Sequence, residues 1–148
     1  MDAIDRKILN LIQKEFPVVE EPFKVIGALA GISGEEALER VRCLKEAGII
    51  RRIGAVFELK KLGYVSTLCA ARVPEERVKG FVETVNAFPG VTHNYRRSHD
   101  YNIWFTFIAP SEEALERALE AIREKTGIVD ILSLRAVRTF KVDASFEL

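Results

Sequence analysis

Residues 92–107 read THNYRRSHDYNIWFTF, and this segment holds both histidines and the single tryptophan of the chain. Two runs of strand-forming residues, 91–97 and 101–109, flank a polar connection made of Ser98, His99 and Asp100. Two such runs on either side of a short polar turn are typical of a β-hairpin. The sequence therefore predicts a hairpin at this point of the chain.

Successive side chains of a strand point to opposite faces, so the first strand of the hairpin carries two sets of side chains. One set is His93, Tyr95 and Arg97, and the other is Asn94, Arg96 and Ser98. Arginine pairs with carboxylates, aromatic rings stack, and imidazole can move a proton or bind iron. These groups suit an anionic, flat, aromatic ligand. The alternative is a plain sheet with cross-strand aromatic pairs and solvated arginines.

The predicted hairpin is flanked by a strand and a helix on each side. Residues 65–73 predict a strand, and residues 74–87 predict a helix that begins at a proline. After the hairpin, Ser111 is placed to cap a helix over 112–125, and residues 128–142 form a last extended segment. The order β-α-β-β-α-β predicts a ferredoxin-like domain.

The first third of the chain has a different pattern, with apolar residues recurring at helical spacing. Helices are predicted over residues 2–16, 23–30 and 34–47, and Ser33 is placed to cap the third. A strand over 49–57 follows them. Three short helices, of which the last two are joined by a tight turn, and then a strand predict a winged helix-turn-helix.

The whole chain is thus expected to be an α+β protein of 148 residues, long enough for two small domains. The winged helix-turn-helix domain is expected over 1–59 and the ferredoxin-like domain over 60–148, with the boundary at 60–64. The formal net charge is zero. No overall field therefore attracts nucleic acid or an anionic membrane.

Sequence features also bear on location. Cys43 and Cys69 are isolated and lack metal-ligand spacing, which fits free thiols in a reducing compartment. No signal-peptide pattern and no apolar run of membrane-spanning length is present. These features lead us to expect a cytoplasmic protein with no membrane partner.

The order of the two domains resembles the Lrp/AsnC family, whose C-terminal domain dimerises and binds small effectors. The most specific local match is residues 33–50, SGEEALERVRCLKEAGII, which is similar to the family's turn and recognition helix. The resemblance implies a transcription regulator, but Glu35, Glu36 and Glu39 would face the DNA phosphates, and residues 1–53 carry equal numbers of basic and acidic side chains. We therefore expect a helix-turn-helix without specific DNA binding.

The hairpin itself resembles a narrower group. HNYRRSHDYNIWFT at 93–106 is similar to the HNY-x-R-x-H-x-YN-x-WFT pattern of the sirohaem decarboxylases, which are Lrp/AsnC-like enzymes. Residues 51–56 and 61–64 also resemble this family. The resemblance implies removal of two acetate carboxyl groups from sirohaem to give didecarboxysirohaem, in alternative haem or haem d1 synthesis. Its form is similar to the alpha-type subunit, which implies pairing with a related beta-type subunit or with a second copy.

The resemblance implies catalytic roles for three residues. His99 is expected to be the general acid, because it lies at the tip of the hairpin beside Asp100. His93 is expected either to bind the iron or to act as a second acid. Arg97 is expected to hold a carboxylate of the substrate at the reacting position.

The resemblance also implies a wider substrate-binding set, and no cofactor beyond the iron-containing tetrapyrrole itself. Further arginines would hold carboxylates, and aromatic and amide side chains would contact the macrocycle. The set is Arg51, Arg52, Asn94, Tyr95, Arg96, Tyr101, Asn102 and Trp104. Two alternatives stay open: a transcription regulator with an amino-acid or tetrapyrrole effector, and a non-catalytic haem-binding or interaction subunit that has lost activity.

Overall fold

The computed structural model describes residues 1–141 and 145–148. The chain forms two compact units, Met1–Ala55 with Phe140–Leu148, and Val56–Thr139. The domain division predicted from the sequence, 1–59 and 60–148, stays a prediction. Grouping of the segment Phe140–Leu148 with the first unit is a feature that no sequence pattern indicated.

The first unit contains three helices, α1 (Ala3–Lys14), α2 (Pro22–Ala30) and α3 (Gly34–Glu46). A reciprocal capping box starts α1, because the Asp5 amide donates to the Asp2 carboxylate and the Asp2 amide donates to the Asp5 carboxylate. The Ser33 hydroxyl caps α3 by accepting the amide of Glu36 at 3.1 Å, as predicted. One apolar cluster holds the three helices together; its fully buried members include Ile8, Ile26 and Ala37.

The turn between α2 and α3 is tight, which is the defining feature of a helix-turn-helix. Gly31 ends α2 in the left-handed region, at φ 86°, where a side chain would be strained. A Cβ added at Gly27 would lie 2.6 Å from the Ser33 carbonyl oxygen, so only glycine fits this close approach. The predicted three-helix arrangement is confirmed.

The two arginines of α3 are paired with carboxylates. The Arg40 guanidinium donates to Asp2, Asp5 and Glu36 at 2.8–2.9 Å, and these hydrogen bonds raise the pKa of Arg40 above its ordinary value. Arg42 lies 3.7 Å from Glu39. The outer surface of the helix therefore offers few unpaired positive charges.

The predicted strand over 49–57 is wrong. Residues 51–58 adopt neither helix nor strand, and Val56 and Phe57 are exposed. A strand needs a neighbouring strand to satisfy its backbone groups. The described residues of the first unit contain no strand that could pair with this segment, so its apolar residues alone cannot form one.

The second unit is a four-stranded antiparallel sheet with two helices. Its strands lie in the order β2-β3-β1-β4, which is the ferredoxin-like order that the sequence predicted. Its elements are β1 (Val65–Ala71), α4 (Val78–Asn86), β2 (Val91–Arg96), β3 (Ile103–Ala109), α5 (Glu112–Thr126) and β4 (Ile131–Leu134).

All four strands are shorter than the segments predicted from the sequence. β1 ends at Ala71, since the Asn102 amide bonds both the N–H and the carbonyl of Val73. β4 ends at Leu134 rather than extending through the predicted 128–142, and the following Arg135 forms ion pairs with acidic side chains of α5. Residue 142 lies outside the described part of the chain.

Helices α4 and α5 cover one face of the sheet. Phe81, Leu115 and Ile122 pack against Phe105 and Cys69 of the strands, and all five are nearly inaccessible to solvent. Burial raises the pKa of the Cys69 thiol to about 12, which makes it a core residue rather than a reactive one. Among the described residues, none of the helices is long and apolar enough to span a membrane.

Candidate active site on the open face of the sheet

The face of the sheet opposite α4 and α5, called the open face below, carries side chains from all four strands. Leu68, Leu132 and Leu134 are 42%, 40% and 43% exposed on it, on strands β1 and β4. Strands β2 and β3 give this face its polar and aromatic half. In register across the strands, one row is His93, Thr106, Leu68 and Leu134, and the next is Tyr95, Trp104, Ala70 and Leu132.

A β-bulge places His93 on the open face. Val91 lies opposite Phe107 on the core side, whereas His93 lies opposite Thr106, so the register shifts by one residue at Thr92. Without that extra residue, strict alternation from Val91 would turn His93 toward the core. The bulge is therefore the local feature that aligns His93 with Tyr95.

The predicted sharing of one face by His93, Tyr95 and Arg97 is confirmed. The rings of His93 and Tyr95 stack with centroids 6.2 Å apart and planes inclined by 22°. The Arg97 guanidinium lies 5.6 Å from the centre of the Trp104 ring. His93, Tyr95 and Arg97 are exposed, and Arg97 makes no ion pair within the described parts of the chain. A carboxylate could therefore reach Arg97 without displacing a protein partner.

The connection between β2 and β3 fixes the orientation of His99. It is closed by the Arg97 amide, which donates to the Asn102 carbonyl at 2.8 Å. The Tyr101 amide donates to His99 Nδ1 at 3.1 Å, and the two rings stack at 6.4 Å. Because Nδ1 accepts this bond, the proton of the neutral imidazole lies on Nε2. His99 thus presents Nε2 to a ligand.

Asn94 and Arg96 lie on the other side of the hairpin, away from the histidines. The Asn94 amide donates to Asn86 of α4 at 2.9 Å. The Arg96 guanidinium donates to Glu75 at 2.7 Å, and this ion pair is exposed. The structure therefore does not bring these two predicted substrate-binding residues together with His93, Tyr95 and Arg97.

Other predicted site residues use their polar groups inside the fold. The Asn102 side-chain amide bonds both the N–H and the carbonyl of Val73, and the Trp104 indole N–H donates to the Tyr101 carbonyl at 2.7 Å. These bonds fix the base of the hairpin. Only the ring surface of Trp104 is left to contact a ligand.

Two residues that sequence reasoning missed complete the surroundings of Tyr101. Its hydroxyl donates to Asp130 Oδ1 at 2.9 Å, and this bond is the main cause that raises the pKa of Tyr101 above its ordinary value. Arg72 lies 3.3 Å from the Asp130 carboxylate and 5.1 Å from the centre of the Tyr101 ring. No sequence motif contains Arg72 or Asp130. The two residues lie close together only because β1 pairs with β4.

Arg51 and Arg52 belong to the first unit, where both are exposed in the irregular segment that follows α3.

Within the ranges that the structure describes, we find no group of three or more histidine, cysteine or acidic side chains that could bind a metal ion. The Nδ1 atom of His93 lies 3.1 Å from the Thr92 hydroxyl, which leaves Nε2 without a hydrogen-bond partner among the described residues. A single imidazole suits the iron of a tetrapyrrole, which brings its own four nitrogen ligands.

Comparison with known proteins gives matches over both parts of the chain. Residues 61–141 match the AsnC-like ligand binding domain, and residues 5–51 match the siroheme decarboxylase NirDL-like HTH domain. The siroheme decarboxylase alpha subunit of Desulfovibrio desulfuricans is 51% identical over 148 residues, covering 100% of this chain and 85% of the relative. The siroheme decarboxylase NirD subunit of Stutzerimonas stutzeri is 37% identical, covering 100% and 96%.

Solved structures agree with these matches. The siroheme decarboxylase NirDL superposes with a TM-score of 0.74 at 41% identity, covering 94% of this chain and 45% of that one. An AsnC family transcriptional regulator from Agrobacterium tumefaciens superposes with a TM-score of 0.80 at 27% identity, covering 99% and 96%. The fold is thus shared with regulators, while the sequence follows the enzymes. This chain belongs to the siroheme decarboxylase family.

Proposed function

We propose that this protein is a sirohaem decarboxylase, a carboxy-lyase that removes two acetate carboxyl groups as CO₂ and leaves didecarboxysirohaem. The observation that carries the proposal is the open-face set His93, Tyr95 and Arg97 beside His99, in a chain half identical to siroheme decarboxylase alpha subunits. A related structure is described in co-complex with an iron-uroporphyrin III analogue, which is also a carboxylate-rich macrocycle.

The reaction places three requirements on the protein, and these side chains can meet them. Breaking the bond to the carboxylate leaves an electron pair on the carbon attached to the pyrrole, and one proton must then reach that carbon. The macrocycle delocalises the developing charge, so we propose that no cofactor beyond the tetrapyrrole itself is used. The protein has to hold the carboxylates, position a proton donor and limit access of water.

Arg97 is the proposed carboxylate clamp. Its guanidinium has no acidic partner within the described residues, and it lies over the half-buried ring of Trp104. A guanidinium fork can bind a carboxylate through two parallel hydrogen bonds. Arg51 and Arg52 are proposed as further contacts to substrate carboxylates, since both are exposed and unpaired in the described part of the chain.

His99 is the proposed proton donor, acting through Nε2. When the ring takes up its second proton it must release the Tyr101 amide, because Nδ1 then becomes a donor as well. The stacking of the imidazole on the Tyr101 ring does not depend on that bond, so it can hold the protonated ring as well. His93 is proposed as the iron ligand, since its Nδ1 is oriented by Thr92 and its ring stacks on Tyr95.

We propose that a second subunit covers the site, either a related beta-type subunit or another copy of this chain. The open-face residues are solvent-exposed in the single chain, whereas charge development during decarboxylation favours a site with restricted water. The reducing cytoplasm is the proposed location, because it would keep Cys43 and Cys69 as free thiols.

The test is anaerobic incubation of the purified protein with sirohaem, followed by mass spectrometry of the tetrapyrrole. We expect products lighter by one and then two CO₂. The same incubation with a co-expressed beta-type subunit, beside size measurement by light scattering, separates the two proposed partners. An unchanged sirohaem mass in both preparations, with substrate demonstrably bound, would contradict the proposal.

The absence of specific DNA binding is a further part of this proposal. Glu35, Glu36 and Glu39 line the exposed part of α3, and the carboxylates around Arg40 occupy its guanidinium. Phosphate neutralisation supplies much of the affinity for DNA, and this helix has little free charge for it. In a binding-site selection at physiological salt we expect no preferred sequence. A salt-sensitive, sequence-selective complex tighter than about micromolar would instead indicate a regulator.

A further inference from the structure

A compact cluster of Arg72, Tyr101 and Asp130 lies immediately beside His99. The Tyr101 hydroxyl donates to Asp130 Oδ1 at 2.9 Å, and Arg72 Nε lies 3.3 Å from Oδ2 of the same carboxylate. The Arg72 amide also donates to the Asp130 carbonyl at 3.1 Å, directly after the paired residues Ala71 and Ile131. Asp130 is therefore held by both backbone and side chain of Arg72.

Tyr101 contacts His99 at two points, through its backbone and through its ring. Its amide donates to His99 Nδ1, and its ring stacks on the imidazole with the planes inclined by 23°. The Trp104 indole holds the Tyr101 carbonyl at 2.7 Å. The orientation of His99 therefore depends on where Tyr101 lies, and the far end of Tyr101 is fixed by Asp130.

We infer that Asp130 and Arg72 are positioning residues, which hold the Tyr101 ring so that His99 presents Nε2 to the substrate. The kinetic part of this inference rests on the proposed decarboxylase function. Asp130 acts through Tyr101 and not on the substrate, because its carboxylate is already shared between the phenol and the guanidinium. The raised pKa of Tyr101 agrees with this arrangement, since a phenol that donates to a carboxylate keeps its proton.

The ion pair between Arg72 and Asp130 is too exposed to be important for the stability of the fold. The side chains of Arg72 and Asp130 are 55% and 43% exposed. Ion pairs at this exposure contribute little to folding free energy. Replacing Asp130 should therefore leave the protein folded, so that a loss of turnover reports on the site and not on unfolding.

The central experiment is Asp130→Asn, measured in the parent and in a Tyr101→Phe background. We expect kcat to fall by about ten- to a hundredfold, the effect of a small misplacement of a catalytic group, with sirohaem affinity changed less than about twofold. In Tyr101→Phe the hydroxyl is absent, so adding Asp130→Asn should change kcat by less than about twofold. Glu120→Gln is the matched control, because it removes the same charge from an ion pair with Arg123 on α5.

A second readout does not need turnover. The chain has two histidines, so their ring proton resonances can be assigned by single substitutions. Asp130→Asn should shift the His99 signals and leave the His93 signals in place, because only His99 stacks on Tyr101. Glu120→Gln should shift neither.

The outcomes separate this inference from the proposed function. If the parent does not decarboxylate sirohaem, the proposed function fails, while a shift of the His99 signals still supports positioning. If the parent is active but Asp130→Asn keeps the parental kcat, the positioning role is overturned. It is also overturned if the loss of turnover is as large in Tyr101→Phe as in the parent, or if the His99 signals do not move.

Discussion

The two faces of strand β2 differ in how their side chains are bonded. On the open face, His93 and Tyr95 stack on each other and are exposed to solvent. On the helix side, Asn94 and Arg96 are bonded to Asn86 and Glu75. Four consecutive residues of one strand thus alternate between exposed rings that stack on each other and side chains that bond to other elements of the fold.

This difference divides the hairpin pattern into two roles. Asn102 and Trp104 use their polar groups to hold the hairpin, whereas Arg97 and His99 keep functional groups directed away from the fold. A sequence pattern shared within a family therefore does not imply that every matching residue contacts the substrate. The following predictions test whether chemistry is confined to the open face and the loop.

The largest effect is expected for His99→Ala. Loss of the proton donor should lower the single-turnover rate by roughly 10²–10⁴, the usual contribution of a general acid, with sirohaem binding nearly unchanged. Ser98→Ala, at the adjacent exposed loop residue, should keep the parental rate. The measurement is a binding titration beside an anaerobic single-turnover assay. Weakened affinity with a parental rate for bound substrate would make His99 a binding residue.

The next effect is expected for Arg97→Ala. Removal of the guanidinium should cost about 2–5 kcal/mol of sirohaem binding if the carboxylate pair is buried in the complex, because one substrate carboxylate is left unpaired. Arg97→Lys keeps the charge but loses the fork, so it should recover affinity better than turnover. Spectroscopic titration with sirohaem gives both affinities. Equal affinities of Arg97→Ala and the parent would remove Arg97 from the site.

A smaller effect, on stability and not on chemistry, is expected for Asn102→Ala. The side chain satisfies the N–H and the carbonyl of Val73, so its loss should lower the free energy of unfolding by about 1–3 kcal/mol. Asn86→Ala, which removes one exposed side-chain bond, should cost less. Urea unfolding followed by circular dichroism measures both. Parental stability of Asn102→Ala would show that water replaces these bonds, and the scaffold role would be lost.

Most of the helices and strands of this protein can be predicted from its sequence, because the spacing of apolar residues and the capping residues are properties of short segments. The caps predicted at Ser33 and Ser111 are both in place, and Asp2, for which no cap was predicted, caps α1. The strand ends do not follow from sequence, since they depend on which distant group completes the backbone bonding. The Asn102 amide ends β1 in this way, and the irregular segment after α3 pairs with no strand among the described residues.

The candidate site shows the same limit. Alternation along β2 correctly grouped His93, Tyr95 and Arg97, because side-chain direction in a strand is a local property. The bulge at Thr92 and the bond between Tyr101 and Asp130 are tertiary features, and residues 29 apart in sequence give no periodic signal. The alternation of side chains along the strand correctly placed Arg96 and Arg97 on opposite faces. The ion pair of Arg96 with Glu75 could not be predicted in this way.

The smallest effect is expected for Arg96→Ala, the direct counterpart of Arg97→Ala. Arg96 bonds Glu75 at 2.7 Å, but both side chains are largely exposed, so the pair should contribute only about 0–1 kcal/mol to stability. Its guanidinium lies on the helix side, so sirohaem affinity should change far less than in Arg97→Ala. Unfolding and titration of Arg96→Ala, Glu75→Ala and the double variant isolate the pair. If Arg96→Ala weakens sirohaem binding as much as Arg97→Ala, the substrate reaches around the strand edge, and the division of chemistry between the two faces is wrong.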